Sequence, residues 1–258
     1  MGILNVTPDS FSDGGDFVSV PAALAHARQM VEEGAAIIDV GGESTRPGAQ
    51  AVSLQEELRR VIPVIQALAA ELPVPISIDT AKPEVMRAAV AAGAGFINDV
   101  CALRAPGALA TAAALGVPVC LMHMQGEPRT MQQQPHYADA VGEVRAFLAA
   151  RVQLCRAAGI PDRQLLIDPG FGFGKTVQHN LQLLNALDSL RSIGLPVLVG
   201  LSRKSFLGAL LDAPVTARLH AGLAAATIAV MNGAAIVRTH DVGPTVEALR
   251  VCSAVRLG

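Results

Sequence analysis

Short apolar runs alternate with longer amphipathic stretches from one end of the chain to the other. The runs at 2–6, 36–40, 76–79, 96–99, 119–123, 165–168, 197–201 and 236–240 are rich in Val, Ile and Leu, and most lack polar alternation. Strands buried on both faces of a parallel sheet read this way. The stretches between them carry the helical period: in 143–158, Val144, Phe147, Leu148, Val152 and Cys155 share one face. Gly34, Gly93, Gly116, Gly159, Gly194 and Gly233 each stand after such a stretch and before a strand, where a left-handed residue ends a helix. Eight strand–helix units in 258 residues predict an α/β fold, a closed (β/α)8 TIM barrel forming one domain over 1–258, rather than an open doubly wound sheet.

Composition narrows the picture. Hydrophobic residues make up 51% and charged residues 16%, enough apolar material for a large core. Aromatics are only 3%, so that core must be built from Ala, Val, Leu and Ile. The net charge of −2 gives no reason to expect nucleic acid or an anionic membrane as partner. Charges and glycines interrupt every apolar run well short of a membrane span, and the first residues lack the basic and apolar regions of a signal peptide. Cys101, Cys120, Cys155 and Cys252 are scattered with no Cys-x-x-Cys pair, which suits free thiols in a reducing cytoplasm.

The chemistry is expected where the strands end. Each apolar run delivers a polar group at its C-terminal end: Asn5, Asp39, Asp79, Asn98 with Asp99, His123, Asp168, Ser202, and Arg238 with His240. In a barrel these ends converge on one mouth, the usual place for an active site. Carboxylates gathered so closely need a cation or hydrogen-bond donors between them. Ser202-Arg203-Lys204-Ser205 after strand 7 and Arg238-Thr239-His240 at strand 8 fit the phosphate site common in this fold. Asp168 and Asn98 suit a ring edge with adjacent N–H and NH2 donors, such as a pterin or a guanine.

Two glycine motifs are set aside. In Pro169-Gly170-Phe171-Gly172-Phe173-Gly174-Lys175-Thr176, Pro169 stands where a Walker A loop needs its first glycine, and Lys175 stands where a dinucleotide fingerprint needs its third. These are read as turn glycines, with Phe173 free to stack on a flat ligand. There is no Gly-x-Ser-x-Gly elbow and no His-Glu-x-x-His helix, so hydrolase readings are poor. The polar loops at 7–18 and 41–52 are placed on the catalytic face, where closure would exclude water.

At these residues the chain resembles the dihydropteroate synthase family. Residues 1–15, MGILNVTPDSFSDGG, are similar to its first signature, and 39–48, DVGGESTRPG, to its second. Further matches are Ile78-Asp79-Thr80, Asn98-Asp99, the run Leu121 to Met124, the run Asp168 to Lys175, Ser202-Arg203-Lys204-Ser205 and Arg238-Thr239-His240-Asp241, in the family's order over the whole chain. The resemblance implies displacement of pyrophosphate from 6-hydroxymethyl-7,8-dihydropterin pyrophosphate by the amine of p-aminobenzoate. It implies pterin binding by Asp79, Asn98, Met122, Asp168, Phe173, Gly200, Lys204 and Arg238, of which Asp79, Asp168, Lys204 and Arg238 would be catalytic. It assigns pyrophosphate to Thr45, Arg46, Ser202, Arg238 and His240. Thr7, Pro8, Phe11, Asp13 and Pro47 fall to the p-aminobenzoate loops, and Asn5 to Mg2+.

The resemblance also implies sulfonamide inhibition and a homodimer built on the later helices, with which the Ala-rich segment 221–235 is consistent. Family members usually carry a further segment ahead of the first signature, and that cover under the barrel is expected to be missing here. Departing pyrophosphate leaves a cation on the pterin methylene, which Asp79 and Asp168 would favour, so a dissociative, SN1-like displacement is expected. Three rivals remain: a methyltetrahydrofolate methyltransferase, a non-catalytic pterin-binding protein, and a metal-dependent barrel aldolase using His123.

Overall fold

The computed structural model describes residues 1–7, 19–44, 48–127 and 130–257. Its strands are β1 (Gly2–Asn5), β2 (Ile38–Gly41), β3 (Ile76–Asp79), β4 (Phe96–Asp99), β5 (Val119–Met122), β6 (Leu165–Asp168), β7 (Leu198–Gly200) and β8 (Ile236–Arg238). The helices are α1 (Val20–Glu32), α2 (Leu54–Glu71), α3 (Pro83–Ala91), α4 (Ala108–Leu115), α5 (Ala140–Ala157), α6 (Val177–Asn185), α7 (Ser205–Leu211), α8 (Leu219–Met231) and α9 (Val242–Leu257). All eight expected strands form, with limits that move by one or two residues. The second begins at Ile38 and runs on to Gly41, because the inter-strand ladder pairs Gly41 with Asp79.

β1 to β6 pair in parallel in sequence order, and β7 pairs with β8. Two parallel bridges, Ile167 with Val197 and Gly2 with Thr239, join these sheets at both seams. Hydrogen bonds from Ile3 N to Thr239 O and from Thr239 N to Met1 O, each 3.0 Å, fasten the last strand to the first. The eight strands therefore close into a TIM barrel.

Period-two alternation sorts every strand. Leu4, Ile38, Val40, Ile78, Ile97, Leu121, Ile167, Val199 and Val237 point outward into the large core beneath the helices. Facing inward, Phe96, Cys120, Leu166 and Leu198 plug the barrel with Ile236 packed on them. One step further along each strand the inward positions turn polar: Asn5, Asp39, Asp79, Asn98, Asp168 and Arg238. The plug makes the barrel a floor, and the polar layer above it is the mouth.

Helix ends follow their sequence signals. Ser53 Oγ caps α2 by accepting from Glu56 N, and Asp139 caps α5 by accepting from Gly142 N. The six glycines placed after helices all have positive φ, from 66° to 114°. On α5, Val144, Leu148, Val152 and Cys155 are buried as the period requires.

Candidate active site

Parity decides which strand-end groups enter the mouth. Asn98 faces inward on β4, so its neighbour Asp99 faces away. The Asp99 carboxylate accepts from Cys101 N at 2.7 Å and Leu103 N at 2.8 Å, holding the following turn. Met122 faces inward on β5, so His123 lies outside. Its ring meets Phe147 of α5 edge-on, centroids 4.9 Å apart, and its Nδ1 lies 3.0 Å from Lys175 Nζ. Burial and the nearby ammonium push the His123 imidazole down to about 3, so it stays neutral. The expectation that all the strand-end groups share one mouth therefore fails at Asp99 and His123.

The others converge. Arg238 reaches across from β8, with Nε 2.6 Å from Asp39 Oδ2 and a terminal nitrogen 2.8 Å from Asp79 Oδ2. It is the cation the crowded carboxylates require, and the two ion pairs raise its pKa against the opposing effect of burial. Asn98 Nδ2 donates to the same Asp39 oxygen at 3.1 Å. Asp168 Oδ1 accepts from Gly170 N at 2.7 Å. Burial raises the pKa of both Asp79 and Asp168, against the pull of Arg238 on the first and of Gly170 N, Lys204 and Lys175 on the second. Burial lowers that of Lys204, against the pull of Asp168. Each of these groups would be better satisfied by a ligand that hydrogen-bonds to its charged form.

Apolar walls flank the polar layer. Met122 and Phe173 are buried in one cluster with Val100, Met124 and Met131. The Lys204 ammonium sits 4.1 Å from the Phe173 ring centroid, a cation–π contact. Gly200 pairs with Arg238 in register, and a Cβ there would meet nothing within 4 Å. The missing side chain leaves a slot over the mouth. Ser202 Oγ and His240 Nδ1 are 3.0 Å apart, joining the loops after β7 and β8, while Arg203 pairs with Asp241 at 2.5 Å. Thr7 ends the first described segment just past β1, and Asn5 Oδ1 lies beside Gly41. Pro8, Phe11, Asp13, Thr45, Arg46 and Pro47 lie outside the described residues.

Sequence reasoning gave no role to three groups that shape this site. Asp39 anchors Arg238 and Asn98. Lys175, 2% exposed, donates to Gly170 O at 2.8 Å and Phe173 O at 3.0 Å, knotting the glycine-rich turn. That turn is built by backbone contact: a Cβ on Gly170 would stand 1.9 Å from His123 O, and one on Gly174 2.4 Å from Gln125 O. Lys82 bridges Glu43 and buried Glu57, and Glu43 also accepts from Val52 N at 3.1 Å, which closes the base of the loop after β2. The failed Walker A spacing was the signal for Lys175; nothing in the sequence pairs Lys82 with its two carboxylates.

The model of the pterin binding enzyme family matches residues 1–240. The dihydropteroate synthase of Escherichia coli K12 is 56% identical over 254 residues, 98% of this chain and 90% of that protein. The crystal structure of the Yersinia pestis dihydropteroate synthase with a sulfonamide drug complex has a TM-score of 0.95 at 52% identity, covering 100% of this chain and 94% of that one. The Xanthomonas albilineans dihydropteroate synthase with 4-aminobenzoic acid has a TM-score of 0.93 at 56% identity, covering 99% and 92%.

Proposed function

The chain belongs to the pterin-binding enzyme family, and within it to the dihydropteroate synthases, transferases of folate synthesis; we propose that it joins 6-hydroxymethyl-7,8-dihydropterin pyrophosphate to p-aminobenzoate by a dissociative, SN1-like displacement assisted by Mg2+. One observation carries this reading. A polar layer of Asp79, Asn98 and Asp168 lies beside Lys204 on Phe173, with open space at Gly200. That arrangement takes a flat ring with a donor-rich edge.

Asp168 and Asn98 hold the pterin edge, Met122 and Phe173 line its faces, and Lys204 hydrogen-bonds its acceptors. Arg238, tethered to Asp39, covers the ring and meets the phosphate side. Ser202 and His240 receive phosphate oxygens, with Thr45 and Arg46 from the loop after β2. The bond between the pterin methylene carbon and the bridging oxygen breaks with its electron pair leaving on pyrophosphate. Asp79 and Asp168 stabilise the resulting cation, which is conjugated with the ring. The amine nitrogen of p-aminobenzoate then bonds to the methylene and loses a proton. No general base is needed for attack on a cation, which leaves Ser202 and His240, 3.0 Å apart, free to serve the phosphate side. Thr7, Pro8, Phe11, Asp13 and Pro47 belong to the loops that shape the amine site, where sulfonamides compete.

Asn5 fits a Mg2+ role. Its carbonyl oxygen stands at the lip of the mouth, and Mg2+ commonly takes few protein ligands, the rest being water and substrate phosphate oxygens. No group of three or more His, Cys, Asp or Glu suited to a metal occurs among the described residues, so Asn5 would hold it with the pyrophosphate. When bound, the metal would neutralise charge on the leaving group. Cytoplasmic residence is supported by four unpaired cysteines. A homodimer is supported by Ile228 and Met231 on α8 and Val251 and Val255 on α9, apolar residues exposed on two helices packed together.

Rapid quench of enzyme with pterin pyrophosphate and Mg2+ but no amine tests the mechanism. Pyrophosphate release with a trapped pterin species is expected; strict dependence of carbon–oxygen cleavage on p-aminobenzoate would contradict it.

A further inference from the structure

Asp39 takes no part in the reaction outlined above, yet it is fully buried at the base of the mouth. Its Oδ2 accepts from Arg238 Nε and Asn98 Nδ2 together, while its Oδ1 has no hydrogen-bond partner among the described residues. A buried carboxylate with one oxygen unmatched is costly, and an apolar residue of similar size would be less so. Its place follows from strand parity. Asp39 shares the inward face of β2 with Gly41, where a Cβ would stand 3.5 Å from Asn5 Oδ1 and 3.7 Å from Asp79 Cβ.

An ionised carboxylate can only accept hydrogen bonds. Asp39 therefore admits Asn98 through its NH2 alone and turns the amide oxygen away from itself. Asn98 stands opposite Asp79 in the β3–β4 register, so that oxygen joins the carboxylates of the mouth as an acceptor. The same Asp39 oxygen fixes the Nε of Arg238 and leaves the terminal nitrogen for Asp79.

We propose that Asp39 is the positioning residue that sets the hydrogen-bonding polarity of the pterin pocket: it orients Asn98 as an acceptor and tethers Arg238 across the mouth, so the pocket selects ring edges that present donors. This rests on the pterin reading of the mouth and adds a determinant to it. A neutral amide at position 39 offers Asn98 either polarity and releases one of the two carboxylates that hold Arg238.

The test is a swap cycle of D39N, N98D and the double variant. Binding of 6-hydroxymethyl-7,8-dihydropterin is measured by calorimetry, and KM for p-aminobenzoate by steady-state kinetics. D39N is expected to weaken dihydropterin binding at least tenfold and leave the p-aminobenzoate KM within twofold. N98D sets two carboxylates against each other and weakens it too. In the double variant the amide at position 39 donates to the carboxylate at 98, which again presents an acceptor, and at least half of the logarithmic loss returns. A D39N enzyme binding within twofold of the parent overturns the proposal, as does a double variant whose loss is the product of the singles. Should D39N not fold, the same comparison between N98D and the double variant decides it. A parent enzyme that binds no dihydropterin overturns the pterin reading instead, so the two failures are distinct.

Discussion

Gly116 and Gly170 have nearly the same φ, 66° and 67°, but very different surroundings. A Cβ on Gly116, which ends α4, would meet nothing within 4 Å. Gly116→Ala therefore carries only the left-handed strain of an L residue, about 1 kcal/mol. On Gly170 the added carbon would stand 1.9 Å from His123 O, and real contacts of this kind are essentially never under 3.0 Å, so the backbones must part by about 1.1 Å. The required movement works against His123 N to Asp168 O at 2.9 Å and Gly170 N to Asp168 Oδ1 at 2.7 Å. Overpacking and the loss of one such bond add about 2–3 kcal/mol to the strain. Chemical denaturation should therefore place Gly170→Ala below Gly116→Ala by about 2–3 kcal/mol, roughly 5–10 °C in Tm. Because the movement displaces the Asp168 carboxylate, pterin affinity should fall at least tenfold in Gly170→Ala and stay unchanged in Gly116→Ala. Equal stability losses in the two variants would refute the close-contact argument.

Other outcomes follow from the mouth. Gly200→Ala should fold with parental stability, since the added carbon enters open space, but weaken pterin binding by narrowing the slot; calorimetry checks both. Removing Arg238 as Arg238→Met leaves Asp39 buried without its cation and should cost about 3–5 kcal/mol in urea denaturation, far more than an exposed arginine would. Burial lifts the Asp79 carboxyl to about 7, and a donor-edged ligand favours its ionised form. Dihydropterin affinity should thus weaken as pH falls below 7 and level off above it, and Asp79→Asn should move the onset down toward the Asp168 carboxyl, which burial raises to about 6, in a titration series. His123 is held down to about 3 against an ordinary value near 6.5, so between these pH values the unfolded chain binds a proton the folded one does not. This group therefore removes stability as pH falls, by up to about 1.4 kcal/mol per unit, and His123→Asn should flatten the acid limb of the stability profile.

The barrel was legible because its strands are continuous apolar runs and its helices end in glycines, two signals fixed by local chain physics. The mouth was legible as chemistry but not as geometry. Listing the last polar residue of each run ignored the period of two, which sends Asn98 inward and Asp99 outward, and turns His123 onto Phe147. Asp39 was legible at the mouth with the other strand ends, but its partners there were not. Lys175 stood out only as the end of a failed glycine motif; its partners, the Gly170 and Phe173 carbonyls and the His123 ring, are brought near by folding and no local spacing encodes them. The pairing of Arg238 with Asp39 spans 199 residues of sequence, and only closure of the barrel brings them together.

The central claim is that this mouth makes a carbon–nitrogen bond between a pterin methylene and an arylamine. The most direct measurement is product analysis after incubating the protein with 6-hydroxymethyl-7,8-dihydropterin pyrophosphate, p-aminobenzoate and Mg2+. The account predicts 7,8-dihydropteroate and pyrophosphate in equal amounts, with turnover lost in Asp168→Asn. Pterin binding without dihydropteroate formation would contradict it.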